Sequence, residues 1–210
     1  MQPEIAYCPD MPTHAARSEA TRGALVLAAR RLFGARGFAG APLDEVVREA
    51  GVTKGALYHH FPSKEALFLA VFEDVEQSLV DQVLVEAKGG ADPRARVRMG
   101  VRAFVIACQD PVVQRIVLQD APAVLGWEVW RAVDSCHFSA LLQEGLTKAM
   151  TDEQRRRRPV ELLTQVLRGA LTEAAQLAGR DSNPETLATV LEVIDDLLDG
   201  LVPAQLPTPA

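Results

Sequence analysis

The side chains best placed to do chemistry lie between Leu43 and Lys64, in the run LDEVVREAGVTKGALYHHFPSK. Thr53, Lys54, Tyr58 and His59 bring hydroxyl, ammonium, phenol and imidazole groups together on one short segment, and Lys64 follows. Such donors suit a polyanion better than a covalent reaction. The elements that hold them are legible in the spacing. Leu43, Val46, Val47 and Ala50 fall at i, i+3, i+4 and i+7, one apolar stripe of a short helix. Gly51 supplies the freedom for a tight turn, and Thr53 can cap a second helix running to about His60. Pro62 and Ser63 interrupt the chain before Lys64 opens a longer amphipathic segment. Two short helices joined by a glycine turn form the pattern of a helix-turn-helix, which an ordinary helical hairpin in an all-α core also shares.

Other residue pairs fail as reaction centres. Cys136 and His137 are adjacent, and neighbours on a helix point about 100° apart, so they do not form a nucleophile and base. His59 and His60 fail as metal ligands for the same reason. With no acid–base constellation and no Gly-rich phosphate loop, the reading is not an enzyme, with no metal and no cofactor. Three cysteines, Cys8, Cys108 and Cys136, lack C-x-x-C spacing and argue against a disulfide framework. A thiol-based redox sensor using Cys108 or Cys136 remains as an alternative, although both sit in apolar helical context.

The 210 residues carry 22 Lys/Arg and 28 Asp/Glu. The first 64 hold 8 basic and 6 acidic residues, which leaves 14 and 22 for the rest. The leading portion can approach a polyanion and the remainder repels one. No apolar run nears the roughly 18 residues of a membrane span, and no secretory signal is visible, so a cytoplasmic protein with no membrane partner is expected.

Helical spacing runs through most of the chain, and no β alternation is sustained. Residues 1–16 read as a disordered arm and 203–210 as a disordered tail. A helix is expected from Ser18, Pro42 at the first position of the next, and a long one from about Ser63 to Ala87. Further helices follow from Pro93 to Gln109 and from Asp110-Pro111 to about Leu118. Another is expected from Val124 to about Met150, bent near Gly126. EQRRRRP reads as a polar loop. Two amphipathic helices, about Pro159–Ala178 and Pro184–Leu201, close the chain.

The stretch AGVTKGALYHHFPSKEAL resembles the TetR/AcrR family of bacterial transcription regulators, a likeness covering about residues 17–72. It implies an all-α fold: an N-terminal three-helix helix-turn-helix DNA-binding domain (17–62) and a C-terminal helical ligand-binding and dimerisation domain (63–202). Carried over residue by residue, Thr53, Lys54, Gly55 and Ala56 start the recognition helix and face base edges and nearby phosphates. Tyr58, His59 and Lys64 match phosphate-contacting positions, while Leu57 and Phe61 match core positions. The family's usual hydroxyl pair before the second helix is replaced by Ala41-Pro42, a departure that keeps open a helical interaction protein with a degenerate head. A helix ~10–12 Å across fits a major groove ~12 Å wide. Gly55 and Ala56 leave room for close approach, and Lys54 suits guanine O6/N7 or a phosphate.

In the body, Phe72, Phe104, Cys108, Leu118, Leu125, Trp127, Trp130 and Phe138 are the candidate lining of a pocket for a small apolar or aromatic effector, with core filling as the plainer reading. The last two helices carry more apolar surface than one face needs. Leu163, Leu167, Leu171, Leu187, Leu191, Ile194 and Leu198 are the expected interface of a C2 homodimer. The expected function is a homodimeric repressor on a palindromic double-stranded DNA operator, released by its effector.

Overall fold

Helical periodicity carries through to an all-helical chain. The computed structural model describes residues 14–180 and 183–202, and no strand occurs among them. The elements are α1 (His14–Gly40), α2 (Leu43–Ala50), α3 (Lys54–His60), α4 (Lys64–Ala87), α5 (Pro93–Ala107) and α6 (Pro111–Val113). A π-helical segment (Gln114–Asp120) follows, then α7 (Ala121–Leu125), α8 (Trp127–Cys136), α9 (Phe138–Ala149), α10 (Asp152–Arg157), α11 (Val160–Arg180) and α12 (Pro184–Leu201).

The head is α1–α3, closed by the first turns of α4. Leu25, Ala28, Ala29 and Phe33 of α1 meet Val46, Leu57 and Phe61, all buried. Phe33, Phe38 and Phe68 form an aromatic knot with centroids 5.2–5.8 Å apart, which joins α1 to α4. Helix α4 continues out of the head, and its buried Val71, Phe72, Val75, Leu79 and Val83 pack in the body. Helices α5, α9 and α11 complete the body core, and α12 lies against α5 and α11. Arginines of α5 hold α12 in register: Arg94 and Arg98 pair with Asp199, and Arg102 pairs with Asp195.

A second joint between head and body lies at Gly37. Its φ of +72° kinks α1, a conformation that glycine adopts without a Cβ penalty. The kink frees the Phe38 N–H, which donates to Asp120 Oδ2 at 2.7 Å. Arg115 lies so close that a Cβ on Gly37 would stand 2.5 Å from its Nη2. Thus the π-helical segment of the body grips the end of the first head helix.

The π register leaves one carbonyl to be satisfied by a side chain. Ala121 N–H bonds Ile116 O, five residues back. The same register would pair Val117 O with Pro122, which has no N–H. Trp130 Nε1 takes that carbonyl instead, at 3.0 Å.

Several expected boundaries shift. The arm lies outside the described residues as far as residue 13, and residues 14–16 already belong to α1, which starts four residues before Ser18. The tail 203–210 also lies outside them. Pro42 is the N-cap of α2 rather than its first residue, with no side-chain cap. The helix begun at Pro111 extends past Leu118 to Leu125 through the π segment. The segment expected as one bent helix is two, separated at His137 (φ −112°, ψ −103°). EQRRRRP is mostly helix: Thr151 and Gln154 form a capping box, and Arg155, Arg156 and Arg157 pair with Asp152 and Glu153 three or four residues back.

Gly37→Ala is expected to destabilise the fold by about 1–3 kcal/mol, because φ +72°, ψ 170° is a region essentially reserved for glycine and the new methyl must also displace the Arg115 side chain. Urea unfolding measures the loss.

Candidate nucleic-acid interface and buried body site

Helix α3 is set by its two ends. The Thr53 hydroxyl accepts the Ala56 N–H at 3.2 Å, and Phe61 N–H closes on Leu57 O. Before it, Gly51 takes φ 67° and its N–H returns to Arg48 and Val47 carbonyls. Leu57 and Phe61 face inward, so Thr53, Lys54, Gly55, Tyr58 and His59 stand exposed on the opposite side, with Ala56 half-buried at its edge. A Cβ on Gly55 would meet only Thr53 Oγ1, at 3.9 Å, so no contact within the chain requires glycine there.

Lys54 Nζ pairs with Asp44 Oδ1 of α2 at 2.7 Å, and that hydrogen bond raises its pKa. The ammonium thus stays charged and tethered at the head surface. Lys64, expected to contact a phosphate, rests on the aromatic knot in the chain by itself. Its Nζ stands over the Phe38 ring at 4.6 Å, and burial lowers its pKa. The lysine stem covers the aromatic knot, so its charge is half spent on packing. Ala41 is fully buried beneath the start of α2, so the missing hydroxyl there reflects a core position.

The body has an apolar cavity of about 210 Å³ between α4, α5 and α9. Val83, Val97, Val101, Phe138 and Leu142 wall it, with Arg96 and Lys148 also on its lining. Of the eight expected lining residues, Phe138 alone meets this cavity. Phe72, Phe104, Cys108, Leu118 and Trp130 are buried core, and Leu125 packs against it. Phe104 stacks on Phe138 at 4.0 Å. Trp127 is 56% exposed, stacked on Trp130 and away from this cavity's lining.

The expected interface residues are also displaced. Leu163, Leu167, Leu171, Leu191, Ile194 and Leu198 are buried within the chain itself, and Leu187 packs partly against its core. Leu162, Val166, Leu177 and Val193 are the exposed apolar side chains on these two helices. Helix α11 is apolar on two sides, whereas the outer side of α12 carries Glu185, Glu192, Asp196 and Asp199 beside Val193, and the inner side is the one the spacing singled out.

Sequence reasoning passed over three buried charges. Glu76 of α4, Asp134 of α8 and Arg168 of α11 are almost wholly enclosed. Their signal was present: each occupies an apolar-stripe position, Glu76 between Phe72 and Leu79, Asp134 between Trp130 and Phe138, Arg168 beside Leu171. Asp134 Oδ2 accepts from Ser139 Oγ at 2.6 Å and faces Arg168 Nε at 3.5 Å. Arg168 lies over the Trp130 ring at 5.1 Å. Burial pushes the Glu76 carboxyl up to about 8, helped by Asp134 and opposed by Arg168. The Cys108 thiol is pushed far up by burial and secondarily by Glu76, which suppresses the thiolate.

These features meet their family in the comparisons. A family model described as bacterial regulatory proteins, tetR family, matches residues 25–71, and a tetracyclin repressor-like C-terminal domain matches 94–201, half of the chain. The chain belongs to the TetR family. It is thus a DNA-binding transcriptional regulator, and its relatives are regulators rather than enzymes. The HTH-type transcriptional regulator LmrA of Bacillus subtilis is 26% identical over 85% of this chain and 96% of its own length. The transcriptional activator FasR of Mycolicibacterium smegmatis is 42% identical over 40% of this chain, and that match spans only 38% of FasR. A TetR-family regulator from Pectobacterium atrosepticum superposes with a TM-score of 0.73 at 29% identity, covering 93% of this chain and all of that one.

Glu76 links stability to pH. Its folded pKa lies above the ordinary value near 4.5, so the folded state holds a proton that the unfolded state releases. The contribution of this group is complete below about 4.5 and declines as pH climbs towards about 8. Urea unfolding across that range should show the decline in the wild type and a flatter profile in Glu76→Gln.

Proposed function

We propose that this TetR-family regulator is a homodimeric repressor that binds a palindromic operator and is released by a small, largely apolar effector. The observation that carries the DNA reading is the face of α3. Thr53, Lys54, Gly55, Tyr58 and His59 are exposed together on a helix anchored from behind by Leu57 and Phe61. Thr53, Lys54, Gly55 and Ala56 enter the major groove, and Tyr58, His59 and Lys64 take phosphates, with Lys64 leaving Phe38 to do so. An operator occupied by such a dimer is closed to polymerase.

The dimer forms through α11 and α12, paired with the same helices of a second copy. Leu162, Val166 and Val193, each about 60% exposed or more, are its apolar centre. Two heads then read half-sites at least one helical turn apart. The effector occupies the α4/α5/α9 cavity, larger than the ~150 Å³ apolar cavity known to hold benzene. Effector binding shifts α4 and the π-helical segment, and both act directly on the head. A coupling of about 1–3 kcal/mol suffices for induction. The suppressed Cys108 thiolate speaks against a redox trigger at that residue.

Selection of genomic DNA with the purified protein tests the reading and should enrich one palindrome; enrichment of no sequence overturns it. Gly55→Ala should leave the fold intact or up to about 1 kcal/mol more stable, since alanine favours helix. The same variant should lose operator affinity, as its methyl meets the DNA; unchanged affinity in a gel-shift titration removes α3 from the groove. Val166→Arg should convert dimer to monomer in sedimentation and weaken operator binding with it. A variant that stays dimeric places the interface elsewhere.

A further inference from the structure

Helix α5 carries four arginines, and three of them have counter-charges. Arg94 and Arg98 pair with Asp199 of α12, and Arg102 pairs with Asp195. These three recur every fourth residue, so they share the face turned to α12. Arg96 lies two residues from Arg94, about 200° round the helix at 3.6 residues per turn, on the side away from α12. There it joins the lining of the α4/α5/α9 cavity. Its Nε donates to Gly90 O at 3.1 Å, and among the described residues its two Nη groups have neither a hydrogen-bond partner nor a carboxylate.

The turn before α5 is shaped to hold this side chain. Gly90 is buried, and a Cβ on it would stand 2.5 Å from Arg96 N and 2.7 Å from Arg96 Cγ. Only a bare glycine lets the arginine stem lie over the turn while the carbonyl fixes the guanidinium. An arginine held in this way keeps its planar fork oriented before any ligand arrives, which lowers the ordering cost of binding.

The cavity is charged at one end only. Along α5 and α9, its lining residues Val101, Phe138 and Leu142 are buried, whereas Arg96, Glu144 and Lys148 are exposed. Phe104, stacked on Phe138 at 4.0 Å, backs the closed end. From Leu141 to Lys148, both on the lining, α9 rises about 10 Å at 1.5 Å per residue. The volume of about 210 Å³ exceeds the ~150 Å³ that holds benzene and leaves room for a short chain besides.

The charges at the open end choose between ligands. Among the described residues Glu144 is the only acid on the lining, and Lys148 Nζ pairs with it at 2.5 Å. That pair cancels, and Arg96 leaves the open end with one positive charge. Asp92, the N-cap of α5, already accepts the Ala95 N–H and lies off the lining. An ammonium ligand would be repelled by Arg96 and would have to displace Lys148 to reach a counter-charge. A carboxylate supplies what is missing, because its two oxygens match the two Nη groups in parallel.

We propose that Arg96 is the anchor of the effector site, and that the effector is a carboxylic acid with an apolar body about 10 Å long. This rests on the reading of the protein as an effector-responsive regulator. The carboxylate accepts from the Arg96 Nη groups at the open end, Lys148 screens Glu144 from it, and the apolar body extends towards Val101 and Phe138.

Calorimetric titration of the full-length protein with 4-phenylbutyrate, 4-phenylbutanol and 4-phenylbutylamine tests this. The acid should bind about tenfold or more tightly than the alcohol or the amine. Its affinity should be the same at pH 6 and pH 8, since guanidinium and carboxylate are ionised throughout. Arg96→Gln, an exposed change that should leave the thermal melt as in the wild type, should weaken the acid about tenfold and the alcohol by less than about twofold. Arg180→Gln removes the same charge away from the cavity lining and should leave the acid unchanged. Tightest binding of the amine or the alcohol, equal loss of acid affinity in both variants, full acid affinity in Arg96→Gln, or no binding of any probe overturns the proposal. Operator binding by the same preparation without probe is scored separately. If it persists while the probes fail, the inference falls and the regulator stands; if it is absent, the regulator reading falls by itself.

Discussion

One backbone hydrogen bond, from the Phe38 N–H to the Asp120 carboxylate, decides how the head sits on the body. It exists because Gly37 turns α1 out of its helical path and leaves an N–H that no helix turn uses. Asp120 reaches it from the end of the π segment, where Trp130 takes the Val117 carbonyl that Pro122, without an N–H, cannot. Head orientation thus depends on Gly37, whose φ only glycine takes freely, and on the π segment that presents Asp120. Around this bond Phe33, Phe38, Phe68 and the Lys64 stem form a patch in which α1 and α4 have little freedom to move separately.

The body is organised around the opposite problem. Its core admits charges that a plain helical bundle excludes, and the surrounding helices are arranged to accommodate them. The break at His137 brings α9 round so that Ser139 reaches Asp134. Trp130 lies against Arg168 and reaches Val117 with its indole N–H, so the charged cluster and the π segment share one side chain. A change at the cluster therefore meets the segment that grips the head with one residue between them.

The head was readable in the sequence because its elements are short and its punctuation is strong. Gly51 and Thr53 do in the structure what their residue types suggest, and Leu57 and Phe61 are buried as their spacing requires. In the body the same reasoning had less to hold. α11 is apolar on two faces, so periodicity found the helix and could not say which face turns inward. Thr151 and Gln154 were spaced as a capping box, but the run of arginines beside them suggested solvent. The buried charges broke the apolar stripes at single positions, and a single break carries no statement of what lies across the core from it. Lys64 shows the limit from the other side: its position implies a phosphate, while its side chain lies on an aromatic ring.

The arginine ladder between α5 and α12 reaches beyond helix packing. α12 belongs to the proposed contact between two copies, and α5 forms one wall of the cavity. Arg94, Arg98 and Arg102, fixed to Asp195 and Asp199, make these two helices a single lever. In the proposed dimer, widening the cavity in one subunit would move the surface that its twin rests upon, and the two sites would then be coupled.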